Sequence, residues 1–165
     1  MTPDLYWVSD VSPLRLALAA RPRAGEWLED ELKAWRQAGI DTVVSLLEPN
    51  EVRELSLIDE ERVCKISGCD YLSFPIPDRQ VPSSSDATRR FVAELVTRLR
   101  SGSGVAIHCR AGIGRTGLIA ACVLCELGIG STTAFAMLRA ARRVPVPDTE
   151  QQEAWVNEYA NRLMG

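Results

Sequence analysis

Ten residues constrain this chain more than any other stretch: His-Cys-Arg-Ala-Gly-Ile-Gly-Arg-Thr-Gly, at positions 108–117. The apolar run at 105–107 precedes them and predicts a buried strand, and the alanine-rich apolar run at 118–127 predicts a buried helix. A strand, a short glycine-containing loop and a helix N-terminus together direct several backbone N–H groups towards one point, which favours an oxyanion. The stretch therefore predicts an anion-binding turn between a buried strand and a buried helix.

The side chains of this turn predict nucleophilic chemistry. Cys109 opens the loop and Arg115 follows it, so an anion wrapped by residues 109–114 would also meet a planar fork of guanidinium donors. The helix dipole and the guanidinium both favour a thiolate over a thiol. A purely structural role, as a small buried hydrophobic residue, fits Cys122 and Cys125 on the following helix better than it fits Cys109. We therefore expect Cys109 to attack phosphorus.

The stretch matches His-Cys-x5-Arg-[Ser/Thr] and resembles the signature loop of the cysteine-based protein tyrosine and dual-specificity phosphatases. Over roughly residues 40–160 the chain is similar to the compact bacterial and cyclin-dependent-kinase-associated members of that class. The resemblance implies a cysteinyl-phosphate on Cys109, phosphate binding by Arg115, and a Thr116 hydroxyl that stabilises the thiolate, a role compatible with helix capping. It also implies that the phosphate is bound by the rest of the loop: Arg110, Ala111, Gly112, Ile113 and Gly114.

Departure of the leaving oxygen requires a proton, and the later attack of water requires a base, so one carboxylate on a loop can serve both steps. Asp78 lies in the proline-rich segment 75–82, directly after a predicted strand. The resemblance implies that Asp78 is this general acid, because the family's acid stands about thirty residues before the nucleophile. A plain turn in which Asp78 caps its own backbone is the alternative. Glu48 and Glu51, which also follow a predicted strand, are weaker candidates for the acid.

Two further residues are candidates for supporting roles. His108 is the only histidine, and adjacent side chains on a strand point to opposite faces, so we do not expect it to act as a base for Cys109. The resemblance gives His108 a buried role in orienting the loop. The segment 149–152 resembles the Thr-x-x-Gln segment with which tyrosine phosphatases position the hydrolytic water. The same spacing is typical of a capping box, so both roles stay open for Gln152.

Composition limits the remaining possibilities. With 165 residues, 46% of them hydrophobic and 25% charged, the chain is expected to form one domain over residues 1–165. A formal net charge of −3 argues against nucleic-acid or anionic-membrane binding. We expect no signal peptide and no membrane span, since no apolar run approaches about 20 residues. Five cysteines without metal-ligand spacing predict a reducing compartment, the cytoplasm by default, and we expect no metal or cofactor.

Strands alternate with helices along the whole sequence. The predicted strands are 5–8, 14–18, 41–47, 71–74 and 105–107. The predicted helices are 26–38, two short ones within 51–67, one from Ser84 or Ser85 to about 100, then 118–127, 131–143, and a last one from 148 or 149 that buries Trp155, Tyr159 and Leu163. This alternation predicts an α/β fold, and the resemblance makes it a single tyrosine-phosphatase-like domain with a central, mainly parallel twisted sheet flanked by helices.

The resemblance predicts a monomeric enzyme that hydrolyses phosphoproteins or phosphopeptides at phosphotyrosine, with phosphoserine and phosphothreonine as further candidate substrates, and with a phosphate- or sulfate-type anion in the loop. Ala111 and Ile113 stand where phosphoinositide phosphatases carry lysines, which argues against inositol lipids. The alternatives are another Cys-x5-Arg oxyanion enzyme, such as a sulfurtransferase or an arsenate reductase, and a non-catalytic phosphoprotein-binding module. Cys64 and Cys69 are candidate resolving partners for an oxidised Cys109.

Overall fold

A five-stranded sheet forms the centre of the computed structural model, which describes residues 2–165. Its strands are β1 (Tyr6–Trp7), β2 (Arg15–Ala19), β3 (Thr42–Ser45), β4 (Asp70–Ser73) and β5 (Gly104–His108). They lie in the order β1-β2-β5-β3-β4, with β1 antiparallel to β2 and the other neighbours parallel. The predicted α/β architecture with a mainly parallel sheet is confirmed.

Helices cover both faces of the sheet because its strands are apolar on both faces. Alternate residues of one strand divide between the two cores: Leu16 and Leu18 pack on one side, and Ala17 and Ala19 on the other. Helices α1 and α3 cover the alanine side, and α4 to α7 cover the leucine side. The helices are α1 (Leu28–Gln37), α2 (Pro49–Glu54), α3 (Glu60–Ile66), α4 (Ser85–Arg100), α5 (Gly114–Glu126), α6 (Ser131–Arg142) and α7 (Glu150–Met164).

Most differences from the predicted elements are shifts of helix ends. Helix α4 begins after Ser84, whose Oγ accepts a hydrogen bond from the Ala87 N–H at 3.1 Å, as predicted. Helix α5 begins at Gly114, four residues earlier than predicted. Its glycines allow a close approach, since a Cβ at Gly117 would lie 2.3 Å from Val146 Cγ1. The start of α5 therefore packs directly against the segment that leads into α7.

The face that α7 buries differs in part from the prediction. Tyr159 is buried, as predicted, together with Val156. Trp155 and Leu163 are only half-buried and pack at the edge of the same core. The prediction that all three apolar residues are buried is therefore wrong for two of them, because Trp155 and Leu163 lie at the margin of the core that fully buries Val156.

The parallel strands bring distant segments of the chain together at one edge. Ser45, the last residue of β3, pairs with His108, the last residue of β5, and Ala19 of β2 pairs with the same residue from the other side. The loops that follow β2, β3 and β5 therefore meet at the carboxyl ends of the strands, where ligands bind in open α/β sheets. Within residues 2–165, none of the helices is both long and apolar enough for a membrane span.

Candidate active site

The loop after β5 turns its carbonyl groups outward. Arg142, in the last turn of α6, donates to the carbonyl oxygens of Ala111 and Gly112 at 2.9 and 3.3 Å. The same guanidinium lies 4.0 Å from the ring centroid of Tyr6 in β1, in a cation–π contact that orients it. The middle of the loop is thus held from outside by a residue 30 positions later in the chain.

The first two peptides of the loop are held in the same way. The carbonyl of Arg110 accepts from the Arg21 N–H at 3.2 Å, and the carbonyl of Cys109 lies 3.3 Å from Nδ1 of His108. In a trans peptide the N–H points away from the carbonyl, so outward carbonyls leave the following N–H groups facing inward. In the part of the chain that the structure describes, no N–H of residues 110–114 donates to a protein acceptor. These groups form a nest for an anion.

Gly112 is the residue that allows the loop to lie against β2. Its φ is +73°, in the left-handed region, and a Cβ at this position would lie 2.4 Å from the carbonyl oxygen of Ala19. Any side chain would therefore push the loop away from the sheet. Gly112 does not line the cavity described below, so its predicted contribution to substrate binding is limited to its backbone.

Cys109 and Thr116 meet at the wall of a cavity of about 300 Å³. The Thr116 hydroxyl donates to the Sγ of Cys109 at 3.0 Å, and both side chains are buried in the protein. A hydroxyl donor stabilises a sulfur that carries negative charge. The cavity is lined by Asp78, Arg79, Cys109, Arg110, Ala111, Ile113, Gly114, Arg115 and Asp148. The structure therefore brings the predicted nucleophile, its hydroxyl partner, the arginine and the predicted acid together.

Arg115 is buried and its guanidinium is held on three sides. Nη1 and Nη2 donate to the two carboxylate oxygens of Glu51 at 2.7 and 3.0 Å, and Nη1 also donates to the carbonyl of Ile76 at 2.8 Å. Nη2 donates in addition to Oδ1 of Asp78 at 2.9 Å. The remaining donor, the Nε–H, together with Nη2, forms the edge that can take two oxygens of a phosphate.

Glu51 anchors this arginine and does not supply a proton. Burial acts to raise the pKa of Glu51, but hydrogen bonds from Arg115, the Glu48 N–H and Arg110 outweigh it and lower that pKa from 4.5 to about 2. A group with this pKa stays ionised, so Glu51 as an alternative general acid is wrong. Glu48 caps the N-terminus of α2 in a capping box with Glu51 and is absent from the cavity lining.

Asp78 lies in the cavity, on a loop that contacts the residues around the start of α7. Its side chain is 52% exposed and contacts Arg115. Its neighbour Arg79 forms an ion pair with Asp148 at 2.8 Å, across the mouth of the cavity. The Gln152 side-chain amide donates to the carbonyl of Gln80 at 3.1 Å. The acid loop is thus tied at the two residues that follow Asp78, while the Asp78 carboxyl itself contacts Arg115 at 2.9 Å and lies 3.8 Å from Arg110.

The structure divides the other predicted residues into cavity walls and supports. Ala111, Ile113 and Gly114 line the cavity, as does Arg110, whose guanidinium is bound to Glu51 at 2.9 Å and to Glu54 at 3.2 Å. The Arg110 guanidinium is therefore paired with carboxylates, and its contribution to substrate binding stays a prediction.

Gln152 is completely buried, and its Oε1 accepts from the N–H groups of Asp148 and Thr149. The capping box is confirmed, because the Thr149 Oγ1 also accepts from the Gln152 N–H. The role of Gln152 in positioning water stays a prediction.

His108 is fully buried, and its Nε2 lies 2.6 Å from Oε2 of Glu60. Its ring packs against Trp35, which belongs to the core on the opposite side of the sheet from Cys109, in agreement with the prediction that His108 is not the base. Sequence reasoning missed Glu60, Arg142 and the anchoring role of Glu51. For Glu51 a signal existed, because an acidic residue in the first turn of a helix after β3 must lie near the loop after the adjacent β5.

Cys64 and Cys69 lie away from the nucleophile. Both belong to the core on the other side of the sheet, whereas Cys109 belongs to the core beneath α5. Burial raises the pKa of the Cys64 thiol well above its usual range, and burial also raises that of Cys69. The Cys69 thiol donates to the Ile40 carbonyl, near the amino ends of the strands. The arrangement does not support either residue as a resolving partner of Cys109.

Comparisons with known proteins agree with this geometry. The sequence model of the family described as "Tc-R-P: Polymorphic toxin system, DSP-PTPase phosphatase" matches residues 17–129. A protein of Invertebrate iridescent virus 6, 197R, named as a tyrosine phosphatase, is 31% identical over 102 residues, which cover 60% of this chain and 36% of the viral protein. Cyclin-dependent kinase inhibitor 3 of Rattus norvegicus is 33% identical over 91 residues, 54% of this chain and 42% of the rat protein. The chain thus matches less than half the length of these relatives.

Solved structures extend the similarity over the whole fold. The kinase associated phosphatase, in a form with its catalytic cysteine substituted by serine, has a TM-score of 0.88 at 22% identity, with coverage of 100% of this chain and 98% of that chain. The active form of Tk-PTP has a TM-score of 0.80 at 27% identity, with coverage of 98% and 99%. The family match spans more than half of the chain, and the cavity lies at the loop that the match contains. The chain belongs to the Tc-R-P family of DSP-PTPase phosphatases.

Proposed function

We propose that the protein hydrolyses phosphomonoesters through a cysteinyl-phosphate intermediate, with phosphorylated protein as the substrate. The observation that carries this proposal is that the Cys109 sulfur, the Arg115 guanidinium and the Asp78 carboxyl line one cavity, with the buried Thr116 hydroxyl donating to the sulfur. The inward N–H groups of the loop and Arg115 supply the stabilisation of negative charge that the transferring phosphoryl group needs. The mechanism therefore requires no metal ion.

In the first step the Cys109 thiolate attacks phosphorus and the bond between phosphorus and the ester oxygen breaks. The leaving oxygen takes the proton of the Asp78 carboxylic acid, so the product leaves as an alcohol or a phenol. The phosphoryl oxygens lie against the loop N–H groups and the Arg115 edge. In the second step the Asp78 carboxylate takes a proton from water, the resulting hydroxide attacks phosphorus, and the phosphorus–sulfur bond breaks. The Thr116 hydroxyl then stabilises the departing thiolate.

The contact between Asp78 and Arg115 indicates that phosphate binding precedes proton transfer from Asp78. Asp78 occupies a donor on Nη2, the nitrogen that forms part of the phosphate-binding edge. A phosphate that binds to Nε and Nη2 competes with Asp78 for that nitrogen. Because the Asp78 side chain is half-exposed and the Glu51 contacts keep the guanidinium in place, we expect the Asp78 carboxyl to move rather than the arginine. The displaced carboxyl is then available to the leaving oxygen.

The walls of the cavity favour an aryl phosphate. Ala111 and Ile113 present apolar side chains at its wall, a surface suited to the ring of phosphotyrosine. The ion pair between Arg79 and Asp148 leaves little net positive charge at the mouth, which disfavours a highly charged inositol lipid. We therefore propose phosphotyrosine in a protein or peptide as the preferred substrate, with phosphoserine and phosphothreonine as weaker ones. The monomeric state and the cytoplasmic location stay predictions.

The test is hydrolysis of a chromogenic aryl phosphate in the presence of EDTA, with wild type, Cys109→Ser and Asp78→Asn. We expect Cys109→Ser to abolish turnover and Asp78→Asn to lower kcat by roughly 10²–10⁴-fold. Cys125→Ser and Asp86→Asn are the matched controls, because Cys125 lies in the core and Asp86 at the start of α4. Full activity of Cys109→Ser would contradict the proposal.

A second assay separates the alternatives. Folded, reduced wild type that fails to hydrolyse aryl phosphates but binds phosphopeptides would indicate a binding module. Turnover of arsenate or thiosulfate in place of the phosphoester would indicate another Cys-x5-Arg oxyanion enzyme. Phosphotyrosine, phosphoserine and phosphothreonine versions of one peptide then rank the substrates, and we expect the phosphotyrosine peptide to have the highest kcat/KM.

A further inference from the structure

A buried acid–histidine pair lies directly beneath the nucleophile loop. His108 and Glu60 are both fully inaccessible to solvent, and 2.6 Å separates Nε2 of the ring from Oε2 of the carboxyl. The other ring nitrogen, Nδ1, lies 3.3 Å from the carbonyl oxygen of Cys109. The ring therefore connects a residue at the start of α3 with the first peptide of the anion-binding loop.

The two contacts determine where protons must lie. A carbonyl oxygen only accepts hydrogen bonds, so the contact with Cys109 requires a proton on Nδ1 of His108. The contact with Glu60 requires one further proton between Nε2 and Oε2. Either the ring carries both protons beside a carboxylate, or the carboxyl carries one beside a neutral ring. In both arrangements Nδ1–H faces the loop.

We infer that Glu60 is a positioning residue for the nucleophile: it holds the His108 ring in the orientation and protonation in which Nδ1–H binds the Cys109 carbonyl. This inference rests on the proposed function, since its purpose is to keep the loop ready for a phosphate. A fixed Cys109 carbonyl directs the N–H of the next residue, Arg110, away from the buried ring and towards the inside of the loop. Without Glu60, the ring is held only by one long hydrogen bond.

Among residues 2–165, Glu60 is the residue whose side chain lies within hydrogen-bond distance of Nε2 of His108. Trp35 of α1 packs its ring edge against His108, with 6.2 Å between centroids, and its Nε1 has no hydrogen-bond partner among the described residues. Burial, with the nearby Glu60, raises the pKa of Tyr71 in β4 to about 12, so its hydroxyl stays protonated. Cys64, one turn along α3, is a weak donor whose thiol pKa burial raises further. The remaining oxygen of Glu60, Oε1, is buried and has no hydrogen-bond partner within residues 2–165, so His108 is the side chain to which this carboxyl is hydrogen-bonded there.

His108 is the only histidine in the chain, so the ring can be observed directly by ¹⁵N nuclear magnetic resonance of tag-free protein. At neutral pH we expect a proton on Nδ1 and a far-downfield proton signal from the short contact with Glu60. Glu60→Leu should remove the downfield signal and broaden the Nδ1–H signal. Glu60→Gln should retain Nδ1–H, because an amide N–H can donate to Nε2 in place of the shared proton. An unprotonated Nδ1 in wild type would overturn the inference.

Two functional readouts accompany the spectra: the rate at which iodoacetate alkylates Cys109, and kcat/KM for an aryl phosphate. We expect Glu60→Leu to lower both on the order of tenfold, by analogy with the loss of an outer-shell partner of a metal-ligating histidine, and Glu60→Gln to restore most of each. Val63→Ala is the control for destabilised packing of α3, and Glu61→Leu is the control for loss of an exposed carboxylate on the same helix. Neither control should change the two rates.

The outcomes distinguish this inference from the proposed function. If Glu60→Leu alkylates and turns over at wild-type rates, Glu60 does not position the loop. If wild type shows no phosphatase activity but the spectra and alkylation rates change as expected, the proposed function fails and the positioning role is supported. Should Glu60→Leu not fold, Glu60→Asp takes its place in the same two assays, because the shorter side chain withdraws the carboxyl from Nε2 of His108. Wild-type rates in Glu60→Asp would overturn the inference.

Discussion

Two clusters of arginine–carboxylate ion pairs, one at each end of β3, serve different purposes. In each, one carboxylate binds two arginines: Asp41 binds Arg15 and Arg36 before the strand, and Glu51 binds Arg110 and Arg115 after it. The distances are similar, 2.6 Å for Asp41 to Arg36 and 2.7 Å for Glu51 to Arg115. The two clusters differ in their exposure to solvent. The Asp41 side chain is 32% exposed, whereas the side chains of Glu51 and Arg115 are 4% and 1% exposed.

This difference shows why proximity alone does not identify a functional ion pair. At the amino end of the strand, water screens the charges, and Asp41 chiefly joins loops by accepting the Gly104 N–H at 2.8 Å. At the carboxyl end, burial makes each charge depend on its partner, so Glu51 determines where the Arg115 guanidinium points. Burying such a pair costs desolvation energy, but the pair fixes the direction in which the Arg115 guanidinium points into the cavity.

The largest effect is expected from replacing the two arginines. Arg115→Lys should lower kcat/KM by at least about 10²-fold, because an ammonium cannot hold Glu51 and present two donors to a phosphate. Arg15→Lys, at the other end of the strand, should leave kcat/KM almost unchanged. Steady-state kinetics on an aryl phosphate tests the pair. Equal losses in both variants would show that the buried cluster has no special role.

A smaller effect is expected on stability when each carboxylate is neutralised. Glu51→Gln should lower the free energy of unfolding by about 3 kcal/mol, because it leaves Arg115 buried beside a neutral group. Asp41→Asn should cost about 0–1 kcal/mol, since its partners are exposed and its amide oxygen can still accept from Gly104. Urea denaturation at pH 7 measures both. A larger cost for Asp41→Asn would reverse the comparison between the two clusters.

A third effect, close in size to the second, is a pH dependence of stability that comes from the buried cluster. The pKa of Glu51 in the folded protein is lowered from 4.5 to about 2, so its ionised form stabilises the fold above pH 4.5. That contribution is lost as the pH falls from 4.5 through about 2. Wild type should therefore approach Glu51→Gln in stability over this interval. Denaturation at several pH values tests this, with Glu54→Gln, an exposed carboxylate in α2, as the control.

Much of the fold follows from short-range patterns. The alternation of strands and helices, the Ser84 cap and the Thr149 capping box depend on residues three or four positions apart, and each was predicted correctly. The ends of the helices depend on tertiary contacts as well. Gly114 and Gly117 look like loop residues, yet they lie in α5 because α5 must approach Val146 and Asp148 closely. The local pattern could not show what the helix would pack against.

The residues of the candidate site also fall into those that a local pattern identifies and those that only tertiary contacts reveal. Cys109, Arg115 and Thr116 were identified because they lie within eight consecutive residues whose spacing is itself the signal. Glu51 was considered for the wrong role. Its position after β3 was visible in the sequence, but its two hydrogen bonds to Arg115 span 64 residues. Glu60 was not identified at all, since nothing near it in the sequence indicates a partner 48 residues away.

The sequence by itself determined the loop, its nucleophile, its arginine and the α/β order of elements, because these depend on local spacing and on the period of apolar residues. Only the tertiary structure decided which polar groups hold them. The pairing of β3 with β5 brings Glu51 to Arg115, α3 brings Glu60 to His108, and α6 brings Arg142 to the loop carbonyls. Buried polar contacts of this kind need a partner fixed in space, and only the packed fold supplies one.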